Sequence, residues 1–288
     1  MIQKKSTIWL FLGIPLILYI IWVIGPAIYT MYLSFTRWDG LSSPVFSGFY
    51  NYRLLLDDPV FIKSLMNNIK WLIIFIIVPV TLGLSIALIL NKNIRGEKFF
   101  KAAIYSPMIL SPAVIGLIWG WIYQPAGGLL NTTLTAVGLK GLTGGWLSNP
   151  NQVLYCIIAA AVWRHSGYVM ILYLTGLKGI PKDVLEAASI DGAKGWDLFF
   201  RILFPLLKPS TIIVIVVTII GSIRAFDMVN IMTQGGPYNS SNVLGNFMYI
   251  EAFKNYRMGY GAAIAVILFL IMFMFIVIYL RQILKSER

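Results

Sequence analysis

Runs of about twenty predominantly apolar residues recur along this chain, and that length is what an α-helix needs to cross a bilayer. Six such runs are present, at roughly 8–33, 69–90, 102–123, 153–177, 211–233 and 262–280. They predict an all-α membrane protein with six transmembrane helices in a single transmembrane domain spanning 1–288. Only 12% of the residues are charged, against about 25% in a soluble domain, and the mean hydropathy is +0.79. The first run is too long and too aromatic for a cleaved signal peptide, and no small-residue cleavage site follows it. It therefore counts as a span.

The loops alternate in basic content. The N-terminus, the 91–101 loop, the 178–208 loop and the C-terminal tail hold fourteen Lys and Arg; the opposite loops hold six. Positive charge collects on the cytoplasmic side, so both termini and the 178–208 loop are expected in the cytoplasm. The net charge of +12 follows from the same asymmetry. With no basic, aromatic domain outside the spans, nucleic acid is not an expected partner. The opposite loops are rich in Gly, Asn and Pro, as in 127–131 and 233–242, and Gly235, Gly236 and Pro237 predict a rigid turn facing the outside.

Several chemistries are excluded. Cys156 is the single cysteine and His165 the single histidine, so no zinc site and no internal disulfide are expected. His165 has no nearby Ser or Cys partner to make it a catalytic base, and no catalytic residue is assigned. The phosphate-cradling pattern GxxxxGK[ST] is absent, so the chain is not expected to bind nucleotide.

The 178–208 loop carries four acidic and five basic residues between two apolar spans. Pro181 can open a helix, and Asp183 with Glu186 has the spacing of a capping box. Gly192 after Asp191 is a natural left-handed stop. A second turn, 196–203, presents bulky apolar residues before Pro205. Ala187 and Ala188 are small enough for a partner backbone to come close, and Glu186 can pair with a partner cation. The residues equally allow an amphipathic helix that packs on its own bundle.

This loop resembles the EAA loop of membrane subunits of bacterial ATP-binding-cassette importers, whose pattern is EAA, three residues, Gly, nine residues and I-x-L-P. Glu186, Ala187, Ala188, Gly192, Ile202 and Pro205 stand at those positions. Phe204 replaces the usual Leu. The segments PAVIGLIWGWIYQPAGGLLN (112–131) and RAFDMVNIMTQGGPYNSSNVLGNFMYIEAFKNYRMGYGAAIAVILFLI (224–271) are similar to the carbohydrate-importer branch, which includes the larger membrane protein of the maltose transporter and permeases for sugars and glycerol phosphates. Relative to that larger protein, the present chain is a compact form without a large external domain or extra N-terminal spans.

The resemblance implies a type I importer permease fold with a cytoplasmic coupling helix in the 186–205 loop. It implies four partners: a second homologous membrane subunit, two copies of a cytoplasmic ATPase, an extracytoplasmic solute-binding protein and a carbohydrate substrate, oligosaccharides leading. The chain itself would need no cofactor, ATP and Mg being held by the ATPase. Its place would be the bacterial cytoplasmic membrane.

Thr218, Ser222, Phe226 and Asn230 recur every four residues on the fifth run and drift slowly across one helix face. Polar side chains in a membrane avoid lipid, so this stripe predicts either a sugar pathway or interhelical glue. Trp163 and Tyr168 on the fourth run can stack on sugars or pack in the bundle. Arg164 and His165 beside them are costly at depth unless a hydrated cavity adjoins them. Arg224 and Asp227, three apart, are expected to pair. Pro79, Pro107 and Pro112 favour kinks. A glycerol phosphate ester is the alternative cargo. A self-contained secondary transporter would need an intramembrane acid, and Asp227 is the one acid within a run; a membrane-embedded enzyme would need a nucleophile and base that are absent.

Overall fold

The computed structural model describes residues 5–92, 94–223 and 225–286. Helices dominate. Among the described residues, four are long and apolar enough to cross a membrane: Phe11–Leu33, Pro59–Leu90, Val153–Lys178 and Met258–Val277. The first is made of α1 (Lys5–Tyr19), a π-helical turn and α2 (Gly25–Leu33). The next is α4 (Pro59–Leu90), which follows the short α3 (Tyr50–Asp57) and begins ten residues before the run predicted at 69. The remaining two are α8 (Val153–Lys178), which follows the short α7 (Leu129–Ala136), and α15 (Met258–Ser286), which follows the short α14 (Leu244–Tyr249).

The expected third and fifth spans are not straight helices. α5 (Glu97–Ile109) and α6 (Pro112–Ile122) meet at 102°. Pro112 cannot donate to the preceding turn. Leu110 and Ser111 are extended, and the Ser111 hydroxyl caps the new helix by accepting from Val114 N at 3.3 Å. Helix Trp196–Leu206 likewise meets α12 (Lys208–Ile223) at 69°, and α12 gives way to a separate α13 (Phe226–Met232). Counting each bent pair as one span gives six. Pro79, by contrast, sits inside the unbroken α4.

Two compact units can be described separately. One comprises Lys63–Asn246 with the chain from Met272. Its centre is α8, which buries Val153, Ile157, Val169, Met170 and Tyr173. Glycines let neighbouring backbones approach it, as small residues do in membrane bundles. A β-carbon on Gly167 would lie 2.2 Å from the Ile104 carbonyl oxygen of α5. One on Gly176 would lie 2.2 Å from Ser210 Oγ of α12, and one on Gly83 of α4 would lie 2.5 Å from Val169.

The other unit comprises the chain up to Ile62 with Phe247–Ile271. A two-residue antiparallel pair, β1 (Thr36–Arg37) and β2 (Val45–Phe46), interrupts the all-α expectation. Buried Asn51 donates to the Ser34 and Thr36 carbonyls at 2.9 and 2.8 Å. Tyr260 donates to Asp58 Oδ2 at 2.5 Å, and Arg257 pairs with buried Glu251 at 2.8 Å.

Candidate functional site

Three places hold the residues that the sequence singles out. The first is the charged loop. α9 (Lys182–Ile190) forms there, with Pro181 as its N-cap rather than its first helical residue. The Asp183–Glu186 capping box does not form, because no side chain caps the helix start; Pro181 occupies the cap position and has no capping oxygen. The stop is as expected. Gly192 has φ +81°, its N–H donates to Ser189 O, and Ala193 N–H donates to Ala188 O at 2.9 Å. That pair of bonds is a Schellman closure, satisfying two carbonyls that the helix end leaves open. Glu186 and Ala187 are exposed while Ala188 is buried, so one face of α9 is anchored and the other is presented outward.

Gly195 then turns the chain with φ +55°. The short helix α10 (Trp196–Leu198), a π-helical turn Phe199–Leu203 and α11 (Phe204–Leu206) follow as one helical segment. Ile202 is half-buried in it, and Pro205 lies inside α11.

The second place is the zone of broken helices beside the middle of α8. Arg164 donates through Nε to Leu110 O at 3.2 Å and through Nη2 to Met108 O at 3.4 Å. It thus satisfies carbonyls exposed by the α5–α6 break. His165 is buried; its Nε2 lies 2.9 Å from the Thr218 hydroxyl, and its ring stacks on Phe75 at 4.8 Å. A cavity of about 70 Å³ is lined by Trp71, Phe75, Arg164, His165, Gly221 and Asp227, among others. The indole N–H of Trp71 is buried with no hydrogen-bond partner among the described residues.

The predicted stripe is divided by this architecture. Thr218 and Ser222 are fully buried, bonded to His165 and to the Ile219 carbonyl respectively. Phe226 and Asn230 are half-buried on the separate α13. Trp163 is 45% exposed, meets Trp119 edge-on at 5.7 Å and lines an apolar groove of about 630 Å³. Tyr168 is half-buried against the His165 ring. Arg224 lies outside the described residues, and with it the expected Arg224–Asp227 pair.

The third place is the turn after α13. Gly235 has φ +89°, Gly236–Pro237 is a cis peptide, and Tyr238 is exposed. Two residues not singled out in the sequence hold this turn. Asn67 donates to the Ser240 and Asn242 carbonyls at 3.0 and 2.9 Å, and Asn68 accepts from Leu244 N at 2.8 Å. Adjacent amides just before an apolar run were the available signal, since buried amides must find partners. Among the described residues, no group of three His, Cys, Asp or Glu could hold a metal ion.

Comparison with known proteins gives a consistent match. The family model for the inner membrane component of binding-protein-dependent transport systems covers residues 79–287. The chain is 40% identical over 279 residues to a probable ABC transporter permease of Pyrococcus horikoshii, covering 96% of each chain. It is 34% identical to a probable permease for starch degradation products of Thermoanaerobacterium thermosulfurigenes, covering 95% of this chain and 93% of that one. It is 35% identical to a multiple sugar-binding transport permease of Streptococcus mutans, covering 91% and 90%. In fold it resembles a subunit of a crystallised bacterial ABC transporter that imports alginate, with a TM-score of 0.86 at 18% identity over 100% and 98% of the two chains.

Proposed function

Because the chain belongs to the family of inner membrane components of binding-protein-dependent transport systems, we propose that it forms half of the translocation pathway of an ATP-driven sugar importer. The observation that carries the coupling part of this reading is α9: Glu186 and Ala187 face outward on a helix anchored by Ala188 and closed by left-handed Gly192. Such a helix moves as one piece. A cytoplasmic ATPase seated on it displaces α9, Gly195 and the bent segment leading to α12 together. Ala187 permits close backbone approach, Glu186 offers a carboxylate to a partner cation, and Ile202 and Pro205 sit in the segment that carries the motion to the membrane. ATP and Mg belong to the ATPase partner, of which two copies are expected, one on this chain and one on a second homologous membrane subunit.

An extracytoplasmic solute-binding protein delivers the cargo. Support comes from a related alginate importer crystallised with its alginate pentasaccharide-bound periplasmic protein. The cargo is a carbohydrate, and relatives named for starch degradation products and multiple sugars favour an oligosaccharide. A glycerol phosphate ester is not favoured, since Arg164 is committed to two backbone carbonyls. Asp227 shares a cavity with Arg164 rather than standing alone as a proton or sodium site, which disfavours a secondary transporter.

Of the pathway candidates, Trp163, Tyr168, Phe226 and Asn230 keep accessible surface, which supports them as the members of the set that line the pathway, while Thr218 and Ser222 are buried. The chain lies in the cytoplasmic membrane with both termini inside. Coexpression with the ATPase tests the reading. Wild type should copurify with the ATPase, and Ala187→Trp, which removes the close approach, should abolish that association. Equal recovery with both would refute it.

A further inference from the structure

The segment after α9 carries an exposed aromatic stripe that the coupling role does not use. Trp196, Phe200 and Phe204 recur every four residues and are 77%, 58% and 46% exposed. Trp196 stacks on Phe200 at 5.6 Å with the rings 17° apart, and Phe199 links Phe200 to Phe204, meeting them at 4.9 and 6.0 Å. Beside it run Asp197 and Arg201, paired at 3.2 Å and both well exposed. The segment is therefore amphipathic, with one aromatic and one charged side.

Its orientation points to what covers the aromatic side. Trp196–Leu206 is bent 69° from α12. Transmembrane helices tilt about 20° from the bilayer normal, so a segment bent this far lies roughly 50–90° from the normal, close to the membrane plane. Leu206 at the end of the segment and Ile213 on α12 are exposed apolar residues as well. Trp and other amphipathic aromatics concentrate at the headgroup level. Lys194, Arg201 and Lys208 exceed Asp197 by two charges (three basic less one acidic), which suits an anionic headgroup layer.

We propose that residues 196–206 form an interfacial anchor whose aromatic stripe is embedded in the cytoplasmic headgroup region. The anchor holds the loop end at the membrane surface, so that displacement of α9 turns the segment about the bend at Leu207 instead of lifting it into water. The proposal rests on reading α12 as a span, but not on the identity of the cargo or the ATPase.

The test is spin-label accessibility in nanodiscs of phosphatidylcholine with phosphatidylglycerol. Labels replace Phe200, Phe204, Asp197 or Arg201 one at a time in a Cys156→Ala background, on the assembled complex with and without its ATPase. The expected result is a several-fold higher ratio of oxygen to nickel accessibility at 200 and 204 than at 197 and 201, unchanged by the ATPase. Preference for nickel at 200 and 204 would place the stripe in water and overturn the proposal. Inaccessibility to both reagents, or loss of oxygen access only with the ATPase bound, would assign the stripe to a protein contact and overturn it equally. A second readout avoids labelling. The fluorescence lost in Trp196→Phe should be a component that brominated lipids quench in the wild type; an unquenched component would contradict the anchor while leaving the importer assignment standing.

Discussion

Gly167 gives the most quantitative handle on the bundle. The nearest atom to a β-carbon there is the Ile104 carbonyl oxygen at 2.2 Å, with the Tyr105 α-carbon at 3.0 Å. A carbon–oxygen contact settles near 3.2–3.5 Å, so α5 and α8 would have to separate by about 1 Å, and a backbone carbonyl has no rotamer by which to escape. Overpacking of this kind costs about 1–3 kcal/mol. Gly120 on α6 supplies the control, because among the described residues nothing lies within 4 Å of its β-carbon. Alanine in either helix gains about 1 kcal/mol of propensity over glycine, so the difference between Gly167→Ala and Gly120→Ala isolates the clash. That difference corresponds to roughly a 5- to 150-fold change in an unfolding equilibrium. Unfolding of the purified complex in detergent, followed by fluorescence-detected size exclusion after heating, reads it directly. Gly167→Ala should unfold at a clearly lower temperature than Gly120→Ala. Equal stability of the two variants would refute the close approach of α5 to α8.

Three further perturbations test local features. Arg164→Met strands the Met108 and Leu110 carbonyls at the α5–α6 break and should destabilise the complex by about 1–3 kcal/mol in the same assay; a neutral result would mean the guanidinium does not serve the break. Asn67→Leu removes both clamps on the 240–242 turn, and should speed hydrogen exchange there by about tenfold or more, since a lost hydrogen bond of about 1–1.5 kcal/mol corresponds to that change. Asp39 accepts from the backbone of Ser42 and Leu41 and from the Ser42 hydroxyl, which lower its pKa from 3.8 to about 2. Its contribution to the 39–42 turn is thus complete above pH 3.8 and lost as the pH falls through about 2; amide protection at Leu41 and Ser42, corrected for intrinsic exchange, should fade across that window and stay flat above it.

Long apolar helices were legible because burial in lipid demands long apolar runs; α8 ends one residue beyond the expected run, whereas α15 starts four residues before its run and ends six after it. The loop's left-handed stop was also legible, since only glycine adopts φ +81° at Gly192 without strain. The bends were harder to read. Pro79, Pro107 and Pro112 give the same local signal, yet α4 continues through Pro79 while the chain breaks at Ser111–Pro112, where a capping hydroxyl restarts the helix and Arg164 reaches across from α8. That partner lies more than fifty residues away in sequence, and no local pattern reveals it. The same holds for Thr218, whose hydroxyl lies against His165 Nε2 on a helix fifty-three residues away in sequence. Asn67 and Asn68 are visible in the sequence only as adjacent amides before an apolar run, because their partners are backbone groups of a distant turn, which carry no side-chain signature.

The claim that α9 and the segment after it couple this chain to an ATPase is tested most directly by binding-protein-stimulated ATP hydrolysis in the reconstituted complex. Wild type is compared with Glu186→Ala and Gly192→Pro. The first removes the exposed carboxylate; the second removes a backbone donor and forbids φ +81°, opening the Schellman closure. Both variants should assemble with their partners yet lose the stimulation. Full stimulation in both would contradict the account and leave α9 as a surface helix.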